Sequence, residues 1–279
     1  MHSRITLIAV LVLSVSFFCH AQQTATCDHW TFFKSFSASG INRWNTVVGT
    51  GTLSDGSTVG FVRYSNGSVT TYKSPNATQT HFSKRNTFGV TVGDIDVNHG
   101  LVVYGSSVAT VDYPGTDQTI LTGINKWYTM VGTYHAYDDA DVGPAWSGFK
   151  RWKNGSFTPI SVGAISTNPT SISDTGIVVG WYVGSDSVPF TPYPYHGFVL
   201  ANGVSKTLDY PNAFRTSLND INSAGVIVGS WDGGGFLFVN GKFKNVLGPN
   251  GETTAVNGIN DNGYVTGTSS AGSFIAHCQ

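Results

Sequence analysis

Short apolar runs alternate with polar turn residues along the chain, and they recur in a fixed order. Ile-Asn is followed at constant spacing by a Val-Gly-like pair, from Ile41-Asn42 to Gly49, Ile124-Asn125 to Gly132, Ile221-Asn222 to Gly229 and Ile259-Asn260 to Gly267. Degenerate copies run from Arg85-Asn86 to Gly93 and from Ile172-Ser173 to Gly180. A Gly-Phe-like element comes next each time, at Phe61, Leu101, Phe149, Phe198, Phe236 and Phe274. Asn66-Gly67, Asn154-Gly155, Asn202-Gly203 and Asn240-Gly241 then mark hairpins, because Asn-Gly readily takes the left-handed conformations of a tight turn. Proline ends the following run at Pro75, Pro114 and Pro211, as suits an outer strand without a further ladder partner. Each copy therefore predicts four strands, A to D, in about 43 residues, the size of one propeller blade.

The pattern predicts an all-β fold: a six-bladed β-propeller with four-stranded blades beginning near residues 37, 81, 120, 168, 217 and 254. The sixth copy lacks strand D, whereas the segment 30–36 has a strand D pattern with no A, B or C before it. The two halves predict one blade, with the ring closed by the amino-terminal strand. Cys27 and Cys278 stand where the Asn-Gly turn of that blade is missing, which predicts a disulfide. Closing so long a loop stabilises a fold by up to about 5 kcal/mol in the chain-entropy model.

At the amino terminus Arg4, the apolar run Ile5 to Phe18 and Ala21 read as a signal peptide over 1–21, leaving 22–279 as a single propeller domain. The run is too short to span a bilayer. The expected location is secreted, extracellular or periplasmic, with no membrane insertion and a monomeric state. Charged residues make only 11% of the chain and the net charge is −1, which gives no footprint for nucleic acid or an anionic membrane.

The repeat resembles the HAF family of probable extracellular repeats, named for a His-Ala-Phe tripeptide. The matching residues are His99-Gly100-Leu101 and His196-Gly197-Phe198, with the Gly-Ile-Asn, Val-Val-Gly and Asp-Tyr-Pro segments around them. The resemblance covers nearly the whole mature chain and implies export and propeller-like organisation, without implying a reaction.

Two surfaces are candidates for function, one on each face of the ring. The B to C intervals are longest in blades 3 and 4, and they predict loops carrying Tyr134, Tyr137, Asp139, Asp141 and Trp146 in one and Trp181, Tyr182, Tyr193 and Tyr195 in the other. Aromatic faces beside acidic acceptors suit a carbohydrate or a protein or peptide ligand; the same rings could instead pack the loops together. On the A to B turns, Trp44, Phe88 and Trp127 occupy three consecutive blades, with Arg43 and Lys126 before the tryptophans. These rings either form a contact surface or fold back on their own blades.

The recurring Asn42, Asn86, Asn125, Asn222 and Asn260 are expected to hold turns. Asp94-Ile95-Asp96-Val97-Asn98 and Asp138-Asp139-Ala140-Asp141 resemble the start of calcium loops but lack the closing glutamate. No metal spacing emerges among the histidines, and no cofactor is expected. Catalysis finds little support either. Glu252 is the only glutamate, so a polysaccharide hydrolase or lyase would need aspartates converging at the channel mouth, and no nucleophile elbow is present. The expected role is an exported binding module, with that enzyme or a purely structural surface repeat as alternatives.

Overall fold

The computed structural model describes residues 23–75, 77–139, 143–162, 165–184 and 193–279, with the backbone alone for 137–139 and 143–144. The proposed signal segment 1–21 lies outside these residues. No helix occurs among the described residues, and the strands form six sheets in a ring. Strand A is Phe36–Ile41, Thr80–Arg85, Thr119–Ile124, Ser166–Ile172, Thr216–Ile221 and Thr254–Ile259 in blades 1 to 6. The fold is the expected six-bladed β-propeller.

The two most regular motifs prove to be one packing lock. Each Val-Gly glycine is the cross-strand partner of the buried Phe or Leu of strand C, as in Gly49 with Phe61, Gly132 with Phe149 and Gly267 with Phe274. A Cβ on Gly49 would lie 2.0 Å from Ser37 O and 2.8 Å from the Phe61 ring. Only glycine leaves room for both, and the rings so accommodated are wholly buried. In blade 2 the partner of Gly93 is Leu101, and the backbone of His81 and Phe82 fills the space.

Every strand A carries a register shift at the same place, for instance between Ala38 and Gly40 or between Leu218 and Asp220. An extra residue in one strand breaks the alternation of faces. Two successive positions of each innermost strand can then serve the ring's centre and the neighbouring blade. In blades 3 to 6 the polar residue at the bulge bonds across to the next blade: Thr122 and Thr170 donate to Pro169 O and Leu218 O, and Asn219 and Asn257 donate to Val256 O and Ala38 O.

Closure is as expected, with two refinements. The closing strand is Cys27–Phe33, paired antiparallel with Gly272–Cys278, while Phe36 begins strand A of blade 1. The Cys27–Cys278 disulfide, spanning 251 residues of sequence, joins directly opposed positions of that pair. Before it, Gln23–Thr24 adds a fifth, parallel strand beside Lys242–Val246 of blade 5, so the amino terminus is fixed to two blades.

Candidate functional site

The A to B turns surround one mouth of the central channel, and the recurring asparagines build its rim. Each Asn side-chain oxygen accepts from two backbone amides of its own turn; Asn125 Oδ1 takes Trp127 N and Thr129 N, both at 3.0 Å. Each amide nitrogen reaches the next blade: Asn42 to Asn86 O, Asn86 to Asn125 O, Asn125 to Ser173 O, Asn222 to Asn260 O and Asn260 to Asn42 O. The expected structural role is therefore extended to inter-blade links. Ser173 in blade 4 holds its turn through Oγ, accepting from Ile177 N. In place of the asparagine link, Ser171 donates to Asp220 Oδ1 of blade 5 at 2.5 Å.

Deeper in the channel lies an ion pair that no local motif announces. Lys84 Nζ of blade 2 is 3.0 Å from Asp220 Oδ2 of the opposite blade 5, with side chains only 10% and 7% exposed. Lys84 also donates to Ser39 O and Asn257 O, and Asp220 accepts from Ser171 Oγ, Ile221 N and Ile259 N. Every charge-bearing atom is thus partnered, as a buried pair requires. Gly40 of blade 1, at the position equivalent to Lys84, makes room for it: a Cβ there would sit 2.8 Å from Lys84 Cδ. The pair lies between the two mouths and bridges opposite sides of the ring.

Around the A to B mouth stand the three predicted rings, and they do not fold back on their own blades. Trp44 Nε1 donates to Thr87 O of blade 2 at 3.1 Å, and Trp127 Nε1 donates to Asp174 O of blade 4 at 2.9 Å. Phe88 lies parallel to Tyr128 of blade 3 at 6.1 Å. Each ring is pinned toward its neighbour, yet Trp44, Phe88 and Trp127 remain 60%, 57% and 60% exposed. Arg43, Lys126 and Lys153 lie 5.2, 5.0 and 5.2 Å from the ring centres of Trp44, Trp127 and Tyr128. The result is a fixed aromatic arc over blades 1 to 3 with a basic flank.

The acidic groups at this mouth are occupied by the scaffold. Asp174 Oδ1 accepts from Lys126 N at 2.9 Å and its Oδ2 is 3.5 Å from Lys126 Nζ, while Asp261 accepts from Ser223 N at 2.8 Å.

On the opposite face the blade 3 part of the predicted B to C surface differs from expectation, while 185–192 of the blade 4 interval lie outside the described residues. Blade 3 has no long loop there: strands Met130–Asp139 and Gly143–Arg151 continue as one projecting hairpin, bulged between His135 and Tyr137. Interval length alone cannot separate a loop from an extended ladder. Tyr134 is stacked on Tyr113 of blade 2 at 3.9 Å and forms part of the packing between blades, as Trp231 does with Tyr210 at 4.2 Å. Burial in this stack raises the Tyr113 hydroxyl above its ordinary pKa. Trp146 packs on His135, Trp181 on Tyr195, and Tyr182 on His196 with its hydroxyl 2.8 Å from Thr207 Oγ1. Arg215 lies over Tyr195 and donates to Tyr193 O. Tyr137 and Asp139 are placed on the hairpin by their backbone, and Asp141 lies outside the described residues.

The calcium-like run around Asp94 serves the fold. Asp96 Oδ1 accepts from Thr78 Oγ1, Thr78 N and Gln79 N, which holds its carboxyl below the usual range, Thr78 Oγ1 contributing most. Asp94 Oδ2 is 2.8 Å from His81 Nδ1 and accepts from Val97 N. The repeat histidines pair in the same manner, His99 with Asp112 and His196 with Asp209. This joins the His-Gly and Asp-Tyr-Pro motifs.

No protein-family model matches the sequence, and no curated protein matches it. Solved structures resemble its fold. A catalytically inactive virginiamycin B lyase from Staphylococcus aureus with quinupristin aligns over 90% of this chain and 98% of its own, at 8% identity and a TM-score of 0.50. An arginine-to-alanine triple mutant of AofleA from Arthrobotrys oligospora aligns over 92% and 87%, at 10% identity and a TM-score of 0.51. At such identities the likeness establishes the fold alone.

Proposed function

We propose that the chain is an exported, monomeric carbohydrate-binding module whose binding surface is the aromatic arc of blades 1 to 3. The observation that carries this reading is the exposure of Trp44, Phe88 and Trp127 on turns that are complete without them. Flat rings pinned at one edge offer contact area to a sugar at little cost in side-chain order. The side chains of Arg43, Lys126 and Lys153 supply donors beside them for hydroxyl or carboxylate oxygens. Export is supported by the apolar segment at the amino terminus and by the disulfide, which persists in oxidising compartments. The HAF resemblance points the same way.

A hydrolase or lyase reading has less support at this mouth, because Asp174, Asp220 and Asp261 already satisfy neighbouring amides and a lysine. The test is affinity electrophoresis of the full chain against neutral and acidic polysaccharides, with Trp44→Ala and Trp127→Ala beside Trp146→Ala and Trp181→Ala. Loss of retardation in the first pair alone supports the arc. Loss in the second pair alone moves the site to the B to C face of blades 3 and 4. Retention by immobilised peptides and by no glycan would overturn the ligand class.

A further inference from the structure

The ring closes where strands from opposite ends of the chain meet, and their register breaks at one point. Cys27 faces Cys278 and Asp28 faces His277, after which the next pair is Thr31 with Ile275. Two residues, His29 and Trp30, thus oppose one, and His29 has a φ of 53°. On a regular strand Asp28 and His29 would point to opposite faces. The left-handed residue undoes that alternation, at a cost of order 1 kcal/mol or more for a residue other than glycine. His29 Nδ1 then lies 2.8 Å from Asp28 Oδ1, and His277 Nδ1 lies 3.3 Å from the same oxygen. The His277 ring is itself held by Tyr264 at 5.1 Å.

We propose that Asp28, His29 and His277 bind a first-row divalent cation, with Zn²⁺ as the reference ion, and that the ion ties the closing strand to the end of the chain. The three ligand atoms lie within 4.8 Å of one another. A tetrahedral zinc with bonds of about 2.0–2.2 Å needs them roughly 3.3–3.5 Å apart. The two oxygen to nitrogen separations already approach that spacing. The His29 side chain, 71% exposed, can turn to close the remaining one. Two imidazole nitrogens and one carboxylate oxygen suit Zn²⁺, Ni²⁺ or Cu²⁺, whereas Ca²⁺ and Mg²⁺ require an oxygen set. Each imidazole would bind through the Nδ1 lone pair with its proton on Nε2, so that the contacts with Asp28 give way to bonds to the ion, and water completes the coordination sphere.

Because the ligands come from both ends of the chain, the ion favours the closed ring over an opened one, and stabilisation follows its concentration. The adjacent disulfide does the same work, so the ion contributes most when that bond is absent. The test is calorimetric titration of the full chain with Zn²⁺, with the Co²⁺ visible spectrum reporting ligand type, and melting with and without Zn²⁺ in the native protein and in a Cys27→Ser/Cys278→Ser variant. One ion per chain is expected, weakened at least tenfold by His29→Gln, His277→Gln or Asp28→Asn at unchanged near-ultraviolet dichroism. The melting shift should be larger in the serine variant. Absence of one-to-one binding would overturn the proposal, as would Zn²⁺ affinity unaltered in the double His29→Gln/His277→Gln protein. Neither outcome bears on the aromatic arc, which lies on other blades.

Discussion

Blades 1 to 3 and blades 4 to 6 make the same turn from strand A to strand B, but only the first three place a large ring on it. Asn222 holds the turn of blade 5 by accepting from Ala224 N and Val226 N, just as Asn125 accepts from Trp127 N and Thr129 N in blade 3. Blade 6 does the same with Asn262 N and Tyr264 N, and blade 4 uses a serine and Thr175. Alanine, asparagine and threonine therefore suffice where tryptophan and phenylalanine stand in the other half. The backbone has no need of the rings. Three exposed rings that the turns do not require are what the proposed binding surface needs.

The sharpest way to break the equivalence of the two halves is at the ion pair joining them. Lys84→Met should destabilise the protein by about 3–5 kcal/mol, because the Asp220 carboxylate is left buried without its partner. Asp220→Asn added to Lys84→Met should recover much of the loss. Urea denaturation of the single and double variants checks this, and a single-variant loss below about 1 kcal/mol would mean that the pair is dispensable to the ring. Next in size is the frame of the turn itself. Asn125→Ala removes three hydrogen bonds at a buried position and should cost about 2–3 kcal/mol. Trp127→Ala on the same turn should cost under about 1 kcal/mol. Equal losses would collapse the distinction between frame and ring.

Much of this was legible in the chain. The Ile-Asn, Val-Gly and Gly-Phe elements located the strands, and the two cysteines located the closure. The physical reason for the glycine was hidden, since the carbonyl of Ser37 approaches Gly49 only through the bulge in strand A, which has no compositional mark. Lys84 and Asp220 stand where other blades have Gly40, Gly123 and Gly258, and nothing in the repeat marks them as partners. Their partnership depends on which blades face each other across the ring. Around Tyr134 a long interval suggested a loop, whereas the ladder continues and the ring is consumed in packing between blades.

A smaller effect comes from His81. Its pairing with Asp94 raises its pKa above the usual value against the opposing pull of burial. A raised folded-state pKa gives stability that is complete below the unfolded value of about 6.5 and fades as pH rises through the folded one. Melting followed from pH 6 to pH 8.5 should show a stability decrement that His81→Gln abolishes; an unchanged profile in His81→Gln would contradict the assignment. Smallest of all, Ala224→Trp should graft a ring onto blade 5 at a cost within about 0.5 kcal/mol. A large loss would show that the turns of the two halves are not interchangeable.

The central claim is that the rings of blades 1 to 3 serve a ligand and the fold does not depend on them. Its most direct test is one paired measurement on the Trp44→Ala/Trp127→Ala protein: glycan affinity by titration with a polysaccharide retained by the parent chain, and melting temperature on the same preparation. The account predicts at least a tenfold loss of affinity with the melting temperature shifted by no more than a few degrees. Undiminished affinity, or a fall in stability comparable with that of Asn125→Ala, would contradict it.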